Sequence, residues 1–228
     1  MSPRRARAVQ SHLESDPAGA LRRHLVTVTR RLLAAHGLGG LTTREIARAA
    51  DVSDGVLYNH FADKDELILE ALGLELASLG DQFRNAMPAP GTATVEANLV
   101  AIAHACIAFQ AGALPLAGAL LGRAELFNRF LELSHAGHSG PQHIIAAVAG
   151  YLDAEKQAGR AAAAADSTTL AILMFGACQA QLLGAHFGQP TSTVGVPDMR
   201  PTVAVLLRSL QPRRPLCREH GAAEGPEK

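Results

Sequence analysis

The chain has 228 residues, 48% of them apolar, with 21 Lys and Arg against 21 Asp and Glu. That length carries one domain or two small ones with a real core, and the apolar share excludes a chain disordered along its whole length. Zero net charge excludes a globally basic surface as the basis for nucleic-acid binding; residues 1–66 hold 10 basic and 8 acidic residues, a net of only +2 against −2 for the rest, so any such reading must rest on local geometry.

Residues 1–19, MSPRRARAVQSHLESDPAG, carry arginines with no apolar run behind them. They read as a mobile arm and not a secretory signal. Arg4, Arg5 and Arg7 are open to two readings, a minor-groove contact or a solubilising tail. Cys106, Cys178 and Cys217 are scattered, which argues against a disulfide framework or a cysteine-based zinc site and points to a reducing cytoplasm.

From Leu21 the pattern is helical. Leu21, Leu25, Val28 and Leu32 fall on one stripe, with Arg22, Arg23, Arg30 and Arg31 mostly off it, and a stop is expected at His36–Gly37. Thr42 with Glu45 fits a capping box, and Ile46, Ala47 and Ala50 give the next short helix its inner face. Asp51 suits a left-handed turn, Val52 is expected as a buried plug, and Ser53 as the cap of a third helix. On that helix Leu57 and Phe61 face inward, leaving Gly55, Tyr58, Asn59 and His60 on the other side. Asp63 and Glu66 start a long amphipathic helix that ends before MPAPG at 87–91.

The remainder predicts more helices. One runs from Thr92 or Thr94 to about Phe109, a short one opens at Pro115 and covers 115–121, and others span about 124–135 and 140–157. The alanine run at 161–165 reads as a helix-prone connector, and Asp166 or Ser167 caps a helix through Phe187. GQPTSTVGVPDM is a loop, the last helix covers about Pro201 to Leu210, and the tail from Pro212 reads as disordered. The apolar stretch 170–187 just reaches spanning length, but Gln179, Gln181 and His186 interrupt it, and it is read as a buried helix of a soluble protein. His135, His138 and His143 sit among Gly and Pro without helical spacing and read as a polar loop, so no metal site is expected.

Two short capped helices joined by about four residues form a helix-turn-helix, whose second helix can lie in a major groove. The run LTTREIARAADVSDGVLYNHFADKDELILEAL, residues 41–72, closely resembles the DNA-binding domain of the TetR (tetracycline-repressor-like) family. The resemblance implies an all-α fold: a three-helix DNA-binding domain, a linking fourth helix, and a helical ligand-binding and dimerisation domain. The corresponding division here is an arm at 1–19, a helix-turn-helix domain at 20–66, a regulatory domain at 67–211 and a tail at 212–228.

Carried over residue by residue, the implied DNA contacts are Thr43, Arg44, Ser53, Asp54, Gly55, Tyr58, Asn59, His60 and Lys64. Asp51 stands where Gly is common, and Asp54 stands where a neutral or basic residue is frequent; beside phosphate an acid is unfavourable unless it accepts from a cytosine amine. The implied pocket draws on Phe83, His104, Phe109, Phe127, Phe130, Met174 and Phe175, each of which could equally fill a core. Gly176, Ala180 and Gly184 form a smooth strip that, with Leu173, Val203 and Leu207, suits a four-helix dimer interface; close packing within one subunit is the alternative.

The implied function is a cytoplasmic, ligand-responsive regulator, most simply a repressor. It would bind a palindromic operator as a homodimer, with recognition helices about 34–36 Å apart. No cofactor or membrane partner is expected. A DNA-anchored adaptor whose helical domain binds another protein is the second reading. No triad order, glycine-rich phosphate loop or paired ligand motif supports an enzyme.

Overall fold

The structure, a computed structural model, describes residues 17–39, 41–137, 140–162, 166–188 and 198–210. Among them the chain is all-α, with no strand. The helices are α1 (Pro17–His36), α2 (Thr43–Ala49), α3 (Asp54–Tyr58), α4 (Lys64–Ala86), α5 (Val95–Leu121), α6 (Ala124–Gly137), α7 (Pro141–Gln157), α8 (Ser167–Gly188) and α9 (Arg200–Ser209).

Local signals set most boundaries. Gly37 adopts φ +68° after α1 and its N–H donates to Leu33 O at 2.9 Å. Thr42 and Glu45 form both halves of a capping box on α2. Asp63 accepts from Glu66 N–H at 2.6 Å, but Glu66 reaches back one residue further, to Ala62 N–H at 2.7 Å. Thr94 caps α5 and Asp166 caps α8, accepting from Thr168 and Thr169 N–H.

Two apolar clusters organise the packing. The first joins α1, α2 and α3 to the front half of α4, through Leu25, Ile46, Leu57, Phe61, Leu67, Ile68 and Leu72. Each of these large side chains contributes about 1.5–3 kcal/mol by burial. The second joins Phe83 of α4 to α5, α7, α8 and α9. Packing does not break at residue 66: Leu116 and Leu120 of α5 and Leu126 of α6 lie in the first cluster. Helices α4 and α5 approach so closely at Gly112 that a Cβ there would stand 2.6 Å from Leu79 Cδ2. A buried knot fixes the far end. Glu155, fully buried, accepts from Tyr151 O–H at 2.7 Å and Gly91 N–H at 3.0 Å, and its other oxygen lies 2.8 Å from Arg160 Nε.

Several expectations are corrected. Helix α1 already begins at Pro17, so the arm is shorter than 1–19; residues 1–16, the tail from 211 and most of the loop at 189–197 lie outside the described residues. Pro115 opens no new helix. It sits inside α5, which runs unbroken to Leu121. Its ring removes one hydrogen bond, but Ala111, whose carbonyl loses that partner, is on the exposed side, and Leu116 and Leu120 anchor the next turn. Val52 is half-buried, not a plug. Ser53 stands at the N-cap of α3 without a side-chain cap bond. Ala161 and Ala162 are not helical; Ala162 N–H donates to Leu210 O at 2.8 Å, and 163–165 lie outside the described residues. The expected histidine loop is largely helix: His135 falls within α6 and His143 in the first turn of α7, while His138 lies outside the described residues.

Both α5 and α8 are long and apolar enough to cross a membrane by length and composition alone. Half of the relevant stretch of α5 is buried inside the protein, but only 28% of that of α8. The expectation of a buried α8 therefore holds on one face, through Leu170, Ala171, Met174, Cys178 and Leu182.

Candidate nucleic-acid interface

The α2–α3 turn is held by its own backbone. Asp51 takes φ +57°, and Val52 N–H donates to Ala47 O at 3.0 Å. Leu57 is buried and fixes the roll of α3, so Ser53, Asp54, Gly55, Tyr58 and Asn59 are left exposed. Tyr58 is 60% exposed, unusual for a large aromatic side chain with no partner from its own chain to cover it. A Cβ added at Gly55 would meet nothing within 4 Å. The protein itself therefore imposes no need for glycine here, whereas a surface laid against the helix would.

Thr43, Tyr58 and Lys64 come together from three helices around one narrow crevice, with Leu57, Phe61, Asp63 and Leu67 also bordering it. Lys64 Nζ donates to Leu41 O at 3.2 Å, so it is held in place rather than extended into solvent. Arg44 is exposed on α2. Arg48, one turn further along and also exposed, belongs to the same side and was missed by motif matching; its i, i+4 spacing from Arg44 is the available signal.

His60 is half-buried, and its carbonyl accepts from Arg22 Nη1. Arg22 lies off the Leu21–Leu32 stripe, yet its side chain is only half-exposed. It turns inward, 4.1 Å above the centroid of the Phe61 ring, and pairs with Glu66 at 2.9 Å and Glu70 at 2.6 Å. The hydrogen bond that Arg22 donates to Glu66, opposed by burial, raises the Arg22 pKa, and the same contact holds the Glu66 carboxyl below its ordinary value. The start of α6 grips the other side of this region: Arg129 of α6 pairs with Asp63, the α4 cap, at 3.0 Å, and Arg123, just before α6, reaches both oxygens of Asp65 at 2.8 and 3.0 Å. The Asp63 pKa is lowered by the Glu66 N–H first and by Arg129 after it.

The remaining expected residues separate. Phe109, Phe127 and Phe130 line a cleft of about 570 Å³ with Leu76, Leu116 and Leu120 among its other walls. Phe175 lines an adjoining cavity of about 110 Å³. Phe83 and Met174 are core and line neither, and His104 is exposed on the outside of α5. Of the interface candidates, Leu173, Gly176, Ala180 and Gly184 form an exposed strip on α8. Val203 is fully buried in the second cluster, and Leu207 is partly buried against it. The α9 residue that faces out is Val205, two positions on from Val203; periodicity within one helix cannot say which apolar side its own chain covers.

Comparison with known proteins places these features in a family. Residues 25–71 match the family model for bacterial regulatory proteins, tetR family. Over 60 residues the chain is 37% identical to the HTH-type transcriptional regulator AcrR of Shigella flexneri, a match covering 26% of this chain and 28% of that protein. The chain thus matches little more than a quarter of that curated relative's length. A TetR-family regulator from Mesorhizobium loti superposes with a TM-score of 0.68 at 17% identity, over 85% of this chain and 96% of its own. GusR of Salmonella enterica gives 0.55 at 21% identity over 82% and 95%, and FadR of Bacillus subtilis, in complex with stearoyl-CoA, gives 0.52 at 16% over 83% and 99%. At such identities the structures speak for the fold alone. Residues 25–71 thus carry the helix-turn-helix domain of the bacterial tetR regulatory proteins, and over most of its length the chain shares the fold of a TetR-family regulator.

Proposed function

We propose that the protein is a ligand-responsive repressor that binds a palindromic operator as a homodimer and has no catalytic activity. The observation that carries the DNA reading is the uncovered face of α3, where Ser53, Asp54, Gly55, Tyr58 and Asn59 are all exposed, with Thr43 and Lys64 beside Tyr58. In this reading Ser53, Asp54, Gly55 and Asn59 meet base edges and sugar-phosphate, while Tyr58, Lys64 and His60 meet phosphates. Arg44 joins the contacts from the start of α2.

The homodimer is supported by the exposed apolar strip of α8, with Leu173 55% and Phe187 88% exposed, and by Val205 on α9. A 22-residue helix is about 33 Å long, enough to carry an interface of ordinary size when paired with its copy. Response to a small molecule is supported by the cleft, whose walls Leu116, Leu120, Phe127 and Phe130 also pack against the core of the DNA-binding domain. A ligand there meets side chains on α5 and α6, and Arg129 of α6 with Arg123 just before it holds the start of α4. Such a ligand shifts operator affinity only by its differential affinity for the two arrangements. The cleft favours this reading over an adaptor that binds only protein.

The test is titration of wild type, Tyr58→Phe and Tyr58→Ala against an operator selected in vitro, at several salt concentrations. The expected result is a loss of affinity in both variants, across sequences, with the salt slope unchanged because Tyr58 carries no charge. Wild-type affinity in both variants would remove Tyr58 from the interface.

A further inference from the structure

Every acidic side chain between residues 41 and 66 except one has a structural role within the chain. Glu45 completes the capping box of α2. Asp51 supplies the left-handed turn at φ +57°. Asp63 caps α4 and pairs with Arg129, Asp65 pairs with Arg123, and Glu66 pairs with Arg22. The exception is Asp54. It is exposed at the first position of α3, and among the described residues it has no hydrogen bond and no ion pair.

Its position decides what can satisfy it. Buried Leu57 fixes the roll of α3, and Asp54 lies one turn before Tyr58 on the same uncovered side. In a helix-turn-helix the N-terminal residues of the second helix are the ones that reach base edges. An aspartate side chain is short, so contact needs a close approach. Gly55 beside it permits that approach, and a Cβ there would meet nothing of the protein within 4 Å. A carboxylate in this place is repelled by phosphates and can only accept hydrogen bonds. Guanine N7 and O6 and thymine O4 are acceptors and repel it too. The donors in the major groove are the amines of cytosine and adenine. The adenine amine stands beside N7, an acceptor, whereas the cytosine N4 amine has C5–H as its neighbour and leaves the carboxylate unopposed.

We propose that Asp54 is a specificity-determining residue that accepts a hydrogen bond from a cytosine N4 amine in the major groove, so that each half-site carries one C·G pair read by this side chain. This rests on the DNA-binding reading and adds to it the base that α3 selects. Repulsion from phosphate weakens binding at every sequence, and only the cytosine amine offsets it. Asp54 therefore discriminates between sequences and does not raise affinity in general.

The test is selection of duplexes from a random library by full-length wild type, Asp54→Asn and Asp54→Ala, followed by titration of the selected duplex and its single-base substitutions. Asp54 has no partner among the described residues, so both variants are expected to fold, and thermal melts check this. Wild type should fix cytosine at one position of each half-site and lose about tenfold in affinity when that pair is replaced, the worth of one good base contact. Asp54→Asn presents an acceptor and a donor side by side; it should keep the rest of the selected sequence and take adenine at that position. Asp54→Ala should bind all four pairs there alike, and unrelated duplexes at least as tightly as wild type does. An acid that served only the first turn of α3 would alter the melts and leave the selected bases unchanged. The same base at every position for all three proteins would therefore overturn the proposal while leaving DNA binding intact. So would a wild-type site with no fixed cytosine, or a folded Asp54→Ala protein that loses affinity for unrelated duplexes. Enrichment of no duplex by wild type would instead sink the DNA-binding reading, and this inference with it.

Discussion

Removing Arg22 tests whether the DNA-reading region is held together from helix α1. Arg22 makes two ion pairs, one bond to the His60 carbonyl and one stacking contact on Phe61. Its side chain is 34% exposed, so each contribution belongs at the low end. Exposed ion pairs contribute about 0.2–1 kcal/mol each. A charged hydrogen bond contributes about 1.5–3 kcal/mol and a solvent-exposed cation–π contact about 0.5–1 kcal/mol before discounting. Removal also leaves Glu66 and Glu70 one turn apart without their shared cation, a repulsion of about 0.2–0.5 kcal/mol. Screened and non-additive, the sum for Arg22→Ala is about 2–3 kcal/mol, which lowers Tm by roughly 4–12 °C in a chain of this size. Arg22→Lys keeps a charge but cannot span all four partners, and should lose about half as much. Urea unfolding at fixed protein concentration reads both variants, and operator titration reads the consequence for α3. An Arg22→Ala protein with the wild-type urea midpoint would refute the reasoning, because the cluster would then be decorative.

Three further outcomes follow from single features. Asp51→Val should lower stability by about 1–2 kcal/mol while Asp51→Gly leaves it level or raises it, since φ +57° is strained only for a residue with a Cβ; equal thermal melts for the two would contradict the left-handed turn. At Glu155, burial raises the pKa but bonds from Tyr151 and Gly91 and the charge of Arg160 outweigh it, leaving the carboxyl below its ordinary value. Its contribution is therefore complete above the unfolded carboxylate pKa of about 4.3 and is lost as pH falls through the lower folded value, so Glu155→Gln should cost roughly 2–4 kcal/mol near neutrality and flatten the acid limb of urea midpoints against pH. Leu173→Glu places a charge on the exposed strip of α8 and should yield folded monomers in sedimentation; dimers of wild-type affinity would move the interface elsewhere.

The helix-turn-helix was legible because everything that makes it is local. Caps at Thr42 and Asp63, the turn at Asp51 and the inward pair Leu57 and Phe61 act within a few residues of one another. What sequence could not give was decided between distant segments. Arg22 reads as a surface arginine until Glu66 and Glu70, 44 and 48 residues away, stand opposite it. Their own i, i+4 spacing was the available hint of a cation between them. Phe83 and Met174 carry the same apolar signal as Phe109 and Phe127, and only the packing of other helices decides which are core and which line a cavity. Val203 and Val205 swap roles for the same reason.

Pro115 shows how a local rule can be overridden to a structural end. A break there would have let residues 116–121 orient independently of the rest of α5. Instead one helix of 27 residues carries Ile102 and Cys106 in one core and Leu116 and Leu120 in the other. The lost hydrogen bond is a cost of a few kcal/mol at most, and burial of two leucines at about 1.5–3 kcal/mol each offsets it. A continuous helix also has few ways to absorb displacement along its length. Gly112, three residues before the proline, holds it against Leu79 of α4 with no room for a Cβ. A molecule that pushes on Phe109 or Ala113 therefore pushes on a rod whose end lies in the apolar cluster shared with the DNA-binding helices. Gly112→Ala should displace the Leu79 side chain at the α4–α5 contact without replacing a cavity wall. If operator affinity depends on that contact, it should change in this variant with no ligand present, whereas unchanged affinity together with unchanged stability would mean that the contact transmits nothing.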